Sequence, residues 1–207
     1  MTVVAIDGPA GAGKSTIAKR LAAELDWAYL DSGAMYRAVT LVALDRAIPS
    51  DDTAALAALA GELEIELLAD GTLRVGGVDV TKRIRAPRIT DAVSGVASVP
   101  AVREVMVSHQ RRFAARNERV VAEGRDIGTV VFPDADLKIY LDADTGERAR
   151  RRLAQEDEVS AGADEASVRA GIEARDAQDK SRKASPLRVA EDAWRLDTSQ
   201  MTLDEVF

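Results

Sequence analysis

Three features of the 207-residue chain predict an α/β fold, a five-stranded parallel sheet with helices on both faces. Short β-branched apolar runs alternate with helical periodicity, a Gly-rich loop joins the first run to the first helix, and one interior stretch changes to a period of two. Val3 to Asp7 is the first strand, and Ile17, Leu21, Ala22 and Leu25 then recur at helical spacing. Trp27-Ala28-Tyr29-Leu30 reads as a second strand, followed by Asp31-Ser32-Gly33 and a helix from Met35 to about Asp45. Asp51 to Ala60 reads as a helix with an Asp start. From Glu64 to Thr81 the pattern alternates, with turns at Ala69-Asp70-Gly71 and Gly76-Gly77, which predicts a small three-stranded antiparallel insert. Residues 88 to 116 are helical but interrupted at Pro100, which can open a new helix because its missing amide is not needed there. Val120-Val121-Ala122, Leu137 to Leu141 and Trp194-Arg195-Leu196 complete the sheet and read as buried strands. Ligands of such a sheet bind beyond the carboxyl ends of its strands.

Composition removes several classes of function. The absence of cysteine excludes disulfides, thiolate metal sites and cysteine nucleophiles, and one histidine, His109, cannot make a multi-histidine metal site. The net charge of −7 gives no long-range attraction to nucleic acid or anionic membrane, so neither is expected as a partner and any anionic ligand must be held locally. No apolar run reaches transmembrane length and the N-terminus carries no signal-peptide pattern, which predicts a cytoplasmic protein. Cationic charge is carried by 22 Arg and 6 Lys, a bias that suits bidentate phosphate binding or simply reflects codon usage.

Gly8-Pro9-Ala10-Gly11-Ala12-Gly13-Lys14-Ser15 fits the phosphate-loop pattern G-x-x-x-x-G-K-[ST] between a predicted strand and a predicted helix. At this composition the pattern is expected by chance roughly 0.003 times. Glycines turn successive amides inward and the helix adds its positive end, so ATP is the expected ligand of residues 8 to 16. Lys14 should reach the β and γ phosphates, Thr16 the α phosphate, and the Ser15 hydroxyl should ligate Mg2+. The loop alone leaves kinases, GTPases, motors and transporters open. The lack of an Asn-Lys-x-Asp sequence and the compact length favour a small kinase.

The segments Asp31-Ser32-Gly33-Ala34-Met35-Tyr36-Arg37 and Glu123-Gly124-Arg125-Asp126-Ile127-Gly128-Thr129-Val130-Val131-Phe132-Pro133-Asp134-Ala135 resemble the bacterial-type cytidylate kinases. Asp79-Val80-Thr81, Ile84-Arg85, Val102-Arg103-Glu104, Arg175 with Asp179 and Arg182, Ser185-Pro186-Leu187 and Leu196-Asp197-Thr198-Ser199 extend the resemblance over nearly the whole chain. It implies ATP-dependent phosphorylation of CMP and dCMP. The implied organisation is a core over 1–36, 117–147 and 164–207, a monophosphate-binding region over 37–116 with its insert at about 64–81, and a lid over 148–163. By position, Arg37, Arg125 and Arg182 match arginines near the acceptor phosphate, and with Lys14 form the implied catalytic set. Ser94, Arg103 and Asp126 match the cytosine-reading groups, Ser32 lies by the substrate, and Arg175 and Asp179 match groups at the ribose. Many family members carry Asp where Glu123 stands, and the longer side chain leaves a water-mediated role at the metal. Read without the resemblance, Asp31 and Ser32 are helix caps, Asp126 pairs with Arg125, and Arg175 and Asp179 form a helical ion pair. Arg148, Arg150, Arg151 and Arg152 occupy successive helix faces, so at most two can meet phosphate. A monomer is expected. Rival readings are a related kinase of another small substrate, or a nucleotide-dependent switch or RNA-binding module.

Overall fold

The computed structural model describes residues 1–155, 159 and 162–207. At its centre lies β1 (Thr2–Asp7), flanked on one side by β6 (Arg119–Gly124) and then β2 (Ala28–Asp31), on the other by β7 (Leu137–Asp142) and then β8 (Trp194–Asp197), all parallel. Because side chains alternate along a strand, one sheet builds two cores. Val3, Ala5, Val120 and Ala122 pack with Leu30, Phe113 and Ile127. Val4, Ile6 and Val121 pack on the opposite face with Ile17, Ala18 and Leu141. Helix α1 (Lys14–Leu25) covers the second face and α5 (Pro100–Ala115) the first.

A third core joins α2 (Ser32–Asp45), α3 (Thr53–Glu62), α4 (Pro87–Ser98) and α5 to a small antiparallel sheet of β3 (Ile65–Leu67), β4 (Leu73–Val75) and β5 (Val78–Asp79). Met35, Leu41, Leu56, Leu73, Ile84, Ile89 and Met106 are fully buried there. The small sheet is also tied to the main one, since the Tyr29 amide donates to the Ala69 carbonyl at 2.9 Å. Gly71 lies over the Tyr29 ring with φ +88°, where a Cβ would come within 2.7 Å of the ring.

Helices α6 (Thr145–Leu153) and α7 (Glu165–Ser181) pack against the loop after β1 through Ala149, Ile172 and Ala10. Arg148 and Asp176 form a buried ion pair that grips the Ala10 peptide from both sides. Asp176 accepts from the Ala10 amide at 3.3 Å, and Arg148 donates to the Ala10 carbonyl at 3.1 Å. Helix α8 (Leu203–Val206) closes the chain with a Thr202–Glu205 capping box.

The predicted architecture is the observed one, with local differences. Asp31 caps α2 by accepting from the Ala34 amide at 2.9 Å, so that helix starts at Ser32 rather than Met35. Asp52 performs the same role for α3, moving its start to Thr53. β8 is an edge strand and not a buried one: Trp194 is 71% exposed, and among the described residues no strand pairs with its outer side. Ile127–Val131 forms one wide helical turn that apolar periodicity did not announce. Of the predicted lid, Arg148 is buried in the core, while residues 156–158, 160 and 161 lie outside the described residues.

Gly8 is tightly packed: with φ +153°, a Cβ would lie 2.0 Å from the Leu141 carbonyl oxygen of β7. Gly8→Ala should therefore cost about 3 kcal/mol, read as a lower urea midpoint with an unchanged denaturation slope.

Candidate active site

The carboxyl ends of β1, β6 and β2 open onto one cleft of about 1520 Å³. The loop from Ala10 to Thr16 lines one part of it. Gly11 and Gly13 hold φ of +77° and +87°, a region that L side chains rarely adopt, and a Cβ at Gly11 would meet the Arg148 carbonyl at 2.8 Å. Gly13 caps α1 without a side-chain acceptor, which leaves the first helical amides for an anion. Lys14 is buried and its ammonium donates to the Pro9 carbonyl at 2.8 Å.

Arginines line the facing part of the cleft. Arg37, on α2, donates to the Ile84 carbonyl at 3.0 Å and the Thr90 hydroxyl at 2.8 Å. Arg125, just past β6, donates through Nε to Asp179 at 2.9 Å and through Nη1 to the Gly8 carbonyl at 2.7 Å. Arg182 lies 3.6 Å from the other Asp179 oxygen, with Nε and Nη2 buried and unbonded. Arg175 lines the same space with a buried, unbonded Nε. Burial, then Arg125 and Arg37, push the Arg175 guanidinium down to about 9. Burial pushes Asp179 up, but Arg125, Arg182 and Arg175 outweigh it and hold its carboxyl below the usual range. Arg103 and Asp126 make a buried ion pair at 2.5 Å, with the guanidinium also donating to the Ala97 carbonyl at 3.1 Å and lying 5.1 Å over the Tyr36 ring. The Arg103 Nε is left buried without a hydrogen-bond partner.

Between these two regions lies Glu123, fully buried at the end of β6. Tyr29 donates to it at 2.9 Å, and Tyr29 and the Ser15 hydroxyl both favour its ionised form. Burial and Asp31 push its carboxyl up, against the pull of Lys14. Burial and Arg125 in turn push the Lys14 ammonium down from its ordinary 10.5 toward neutrality, against Glu123 and Asp7. Asp7 is raised to about 6 by burial, although the amides of Gly128 and Ile127 and the charge of Lys14 oppose the shift.

Of the residues expected at the site, Lys14, Ser15, Thr16, Ser32, Arg37, Ser94, Arg103, Arg125, Asp126, Arg175, Asp179 and Arg182 all line this one cleft. Gly8 and Pro9 lie beneath the loop, placed by the backbone contacts described above. Ser32 donates to the Glu123 carbonyl at 2.7 Å, so its hydroxyl proton is already engaged. Asp126 pairs with Arg103 and not with Arg125, and Asp179 pairs with Arg125 and Arg182 rather than Arg175. Among the four clustered arginines, Arg148 supports the loop from inside and Arg150 faces solvent beside Glu147. Arg151 and Arg152 line the cleft, the former anchored on Thr198 and Glu147. Sequence reasoning gave no site role to Asp7, Asp31 or Arg85, of which the last two form an ion pair at the cleft wall. Their signal was available: Asp7 and Asp31 are carboxylates closing buried parallel strands.

A strand, phosphate loop and helix facing an arginine-lined bay across one cleft define a P-loop kinase fold for small anionic substrates. A family model described as cytidylate kinase matches residues 4–207. A cytidylate kinase of Rhodococcus jostii is 48% identical over 207 residues, covering 99% of this chain and 90% of the relative. One of Solibacter usitatus is 47% identical over 206 residues, covering 99% and 88%. A bifunctional pantoate ligase/cytidylate kinase of a Synechococcus species is 48% identical over 210 residues, which span 99% of this chain and 39% of that protein. The chain belongs to the cytidylate kinase family.

A triphosphate on the loop would restore the charge that burial penalises on Lys14, so the bound ammonium titrates higher than the free one. Binding should then take up protons at pH values between neutrality and the ordinary lysine value, and affinity should fall as pH rises through that window. Titration calorimetry of a non-hydrolysable ATP analogue at pH 8 should give heats that vary with buffer ionisation enthalpy. Buffer-independent heats would contradict the assignment.

Proposed function

We propose that this chain transfers the γ-phosphoryl group of ATP to the phosphate of CMP or dCMP, giving ADP and the diphosphate. One observation carries the reading: the phosphate loop and the buried Arg103–Asp126 pair share a cleft with Arg37, Arg125, Arg175 and Arg182. Asp126 would accept from the exocyclic amino group of cytosine, while Arg103 and Ser94 donate to its ring nitrogen and carbonyl. Uracil reverses part of that pattern and would leave buried groups unpaired. Arg175 and Asp179 would meet the ribose, and because Asp179 already holds Arg125 and Arg182, a ribose hydroxyl must share its oxygens with them.

The reaction needs no general base, because the acceptor phosphate is ionised near neutral pH. A bond forms between an acceptor oxygen and the γ-phosphorus as the bond to the β–γ bridging oxygen breaks. The difficulty is the approach of two anions, which Lys14, Arg37, Arg125 and Arg182 offset. The Ser15 hydroxyl with the adjacent Glu123 carboxylate fits Mg2+, a hard cation that takes oxygen ligands and keeps several waters. Ser15 would hold the ion directly and Glu123 through water, and the ion would neutralise phosphate charge. Residues 37–116 are proposed as the monophosphate-binding region and 148–163, apart from Arg148 and Ala149, which pack in the core, as the lid that excludes water. No helix among the described residues is long and apolar enough to cross a membrane. We read the chain as a cytoplasmic monomer, the ordinary setting for an enzyme of small free nucleotides.

A coupled assay with ATP, magnesium and each of CMP, dCMP, UMP, AMP and GMP should show turnover of the first two well above the rest. Lys14→Ala should lower kcat by about 10²–10³-fold, and Asp126→Ala should raise KM for CMP. Equal turnover of purine monophosphates would overturn the substrate assignment.

A further inference from the structure

We infer that Asp7 is a positioning residue: it fastens the acceptor-binding turn to the root of the phosphate loop and so sets the separation of the two reacting phosphates. The inference rests on the function proposed above. Asp7 ends β1 and is 5% exposed. One carboxylate oxygen accepts from the Ile127 amide at 2.8 Å and the other from the Gly128 amide at 2.7 Å. The next residue, Gly8, accepts from Arg125 at 2.7 Å. Two consecutive residues of β1 and its loop therefore hold the segment Arg125 to Gly128 at three points. That segment carries both Arg125, placed at the acceptor phosphate, and Asp126, placed at the base.

Asp7 does not line the cleft, so it acts through its neighbours. It is also not what makes the turn a turn. The Asp126 carbonyl accepts from the Val130 and Val131 amides at 2.9 and 3.1 Å, and Phe132 donates to the Ile127 carbonyl at 2.7 Å. These bonds give Ile127–Val131 its shape without help from β1. What Asp7 adds is location, and the site has little slack behind it. A Cβ on Gly128 would meet the Lys138 side chain at 3.0 and 3.2 Å and the Asp7 carboxylate at 3.4 Å. A buried carboxylate is expensive to retain where an apolar residue would pack, and here its two oxygens satisfy two amides that would otherwise be buried unpaired.

Asp7→Asn replaces one acceptor by a donor facing an amide. Gly128→Ala crowds the same turn against Lys138 and the Asp7 carboxylate without removing that carboxylate. In each variant, dissociation constants for CMP and for ATP should be measured separately by calorimetry, with steady-state kinetics and a thermal melt as the folding control. The CMP dissociation constant should rise about tenfold and kcat should fall, with the ATP dissociation constant held within about twofold. A purely electrostatic role beside Lys14 would instead move ATP binding in Asp7→Asn and leave Gly128→Ala untouched. Parallel loss of both ligands, or unchanged CMP affinity in the folded variants, overturns the inference. If Asp7→Asn does not fold, Gly128→Ala decides alone. A wild-type chain that makes no diphosphate from CMP sinks the functional reading itself, whereas an active wild type with the contrary variant pattern sinks only the role of Asp7.

Discussion

Confinement of like charge governs this molecule. Arg37, Arg103, Arg125, Arg175 and Arg182 line one cleft, where Asp126 pairs with Arg103 and Asp179 with Arg125 and Arg182. The cost is visible in the groups themselves: burial and neighbouring arginines lower Arg175 to about 9, and burial also lowers Arg182 despite its carboxylate neighbours. Under the proposed function, phosphate dianions would supply the charge that the protein withholds. The surplus is local, since the chain as a whole carries −7. Such a surface selects ligands by fit at short range and not by attraction from a distance.

The fold is arranged to hold these charges where they would not settle unaided. β1 sits at the middle of the sheet and is buried on both faces, so the loop that leaves it cannot drift. Gly8 lies against β7, Gly11 against α6, and the Arg148–Asp176 pair clasps Ala10. Removing either partner of that pair would strand a buried charge. Across the cleft, backbone carbonyls of Ile84, Ala97 and Gly8 hold Arg37, Arg103 and Arg125 by ordinary hydrogen bonds. Arg103 and Arg125 are held in addition by the carboxylates of Asp126 and Asp179. Stability is given up at the site and recovered in the apolar cores around it.

Legibility from sequence follows the range of each interaction. The alternation of apolar strands and helices, the antiparallel insert and the phosphate loop are local patterns, and each was readable from residues a few positions apart. Helix starts were misplaced by two or three residues because Asp31 and Asp52 act as caps, a role their neighbours alone do not distinguish from a turn. β8 was read as buried because three apolar-flanked residues look alike at the centre and at the edge of a sheet. The site residues were reached mainly through resemblance to a known family, since Arg37, Arg103, Arg125 and Arg182 are far apart in the chain and no periodicity connects them. Pairings were the least legible. Asp126 with Arg103, Asp179 with Arg125, and Asp7 with two amides more than a hundred residues away exist only once the sheet has formed.

If guanidinium crowding in the cleft is the constraint on which the site is built, relieving it must stabilise the protein and weaken its grip on phosphate. Thermal melting of Arg175→Met, with and without CMP, measures both. The ligand-free variant should melt above wild type, and CMP should raise its midpoint by less than it raises that of wild type. A ligand-free variant that melts below wild type while gaining as much from CMP would contradict the crowding of charge as the basis of the site.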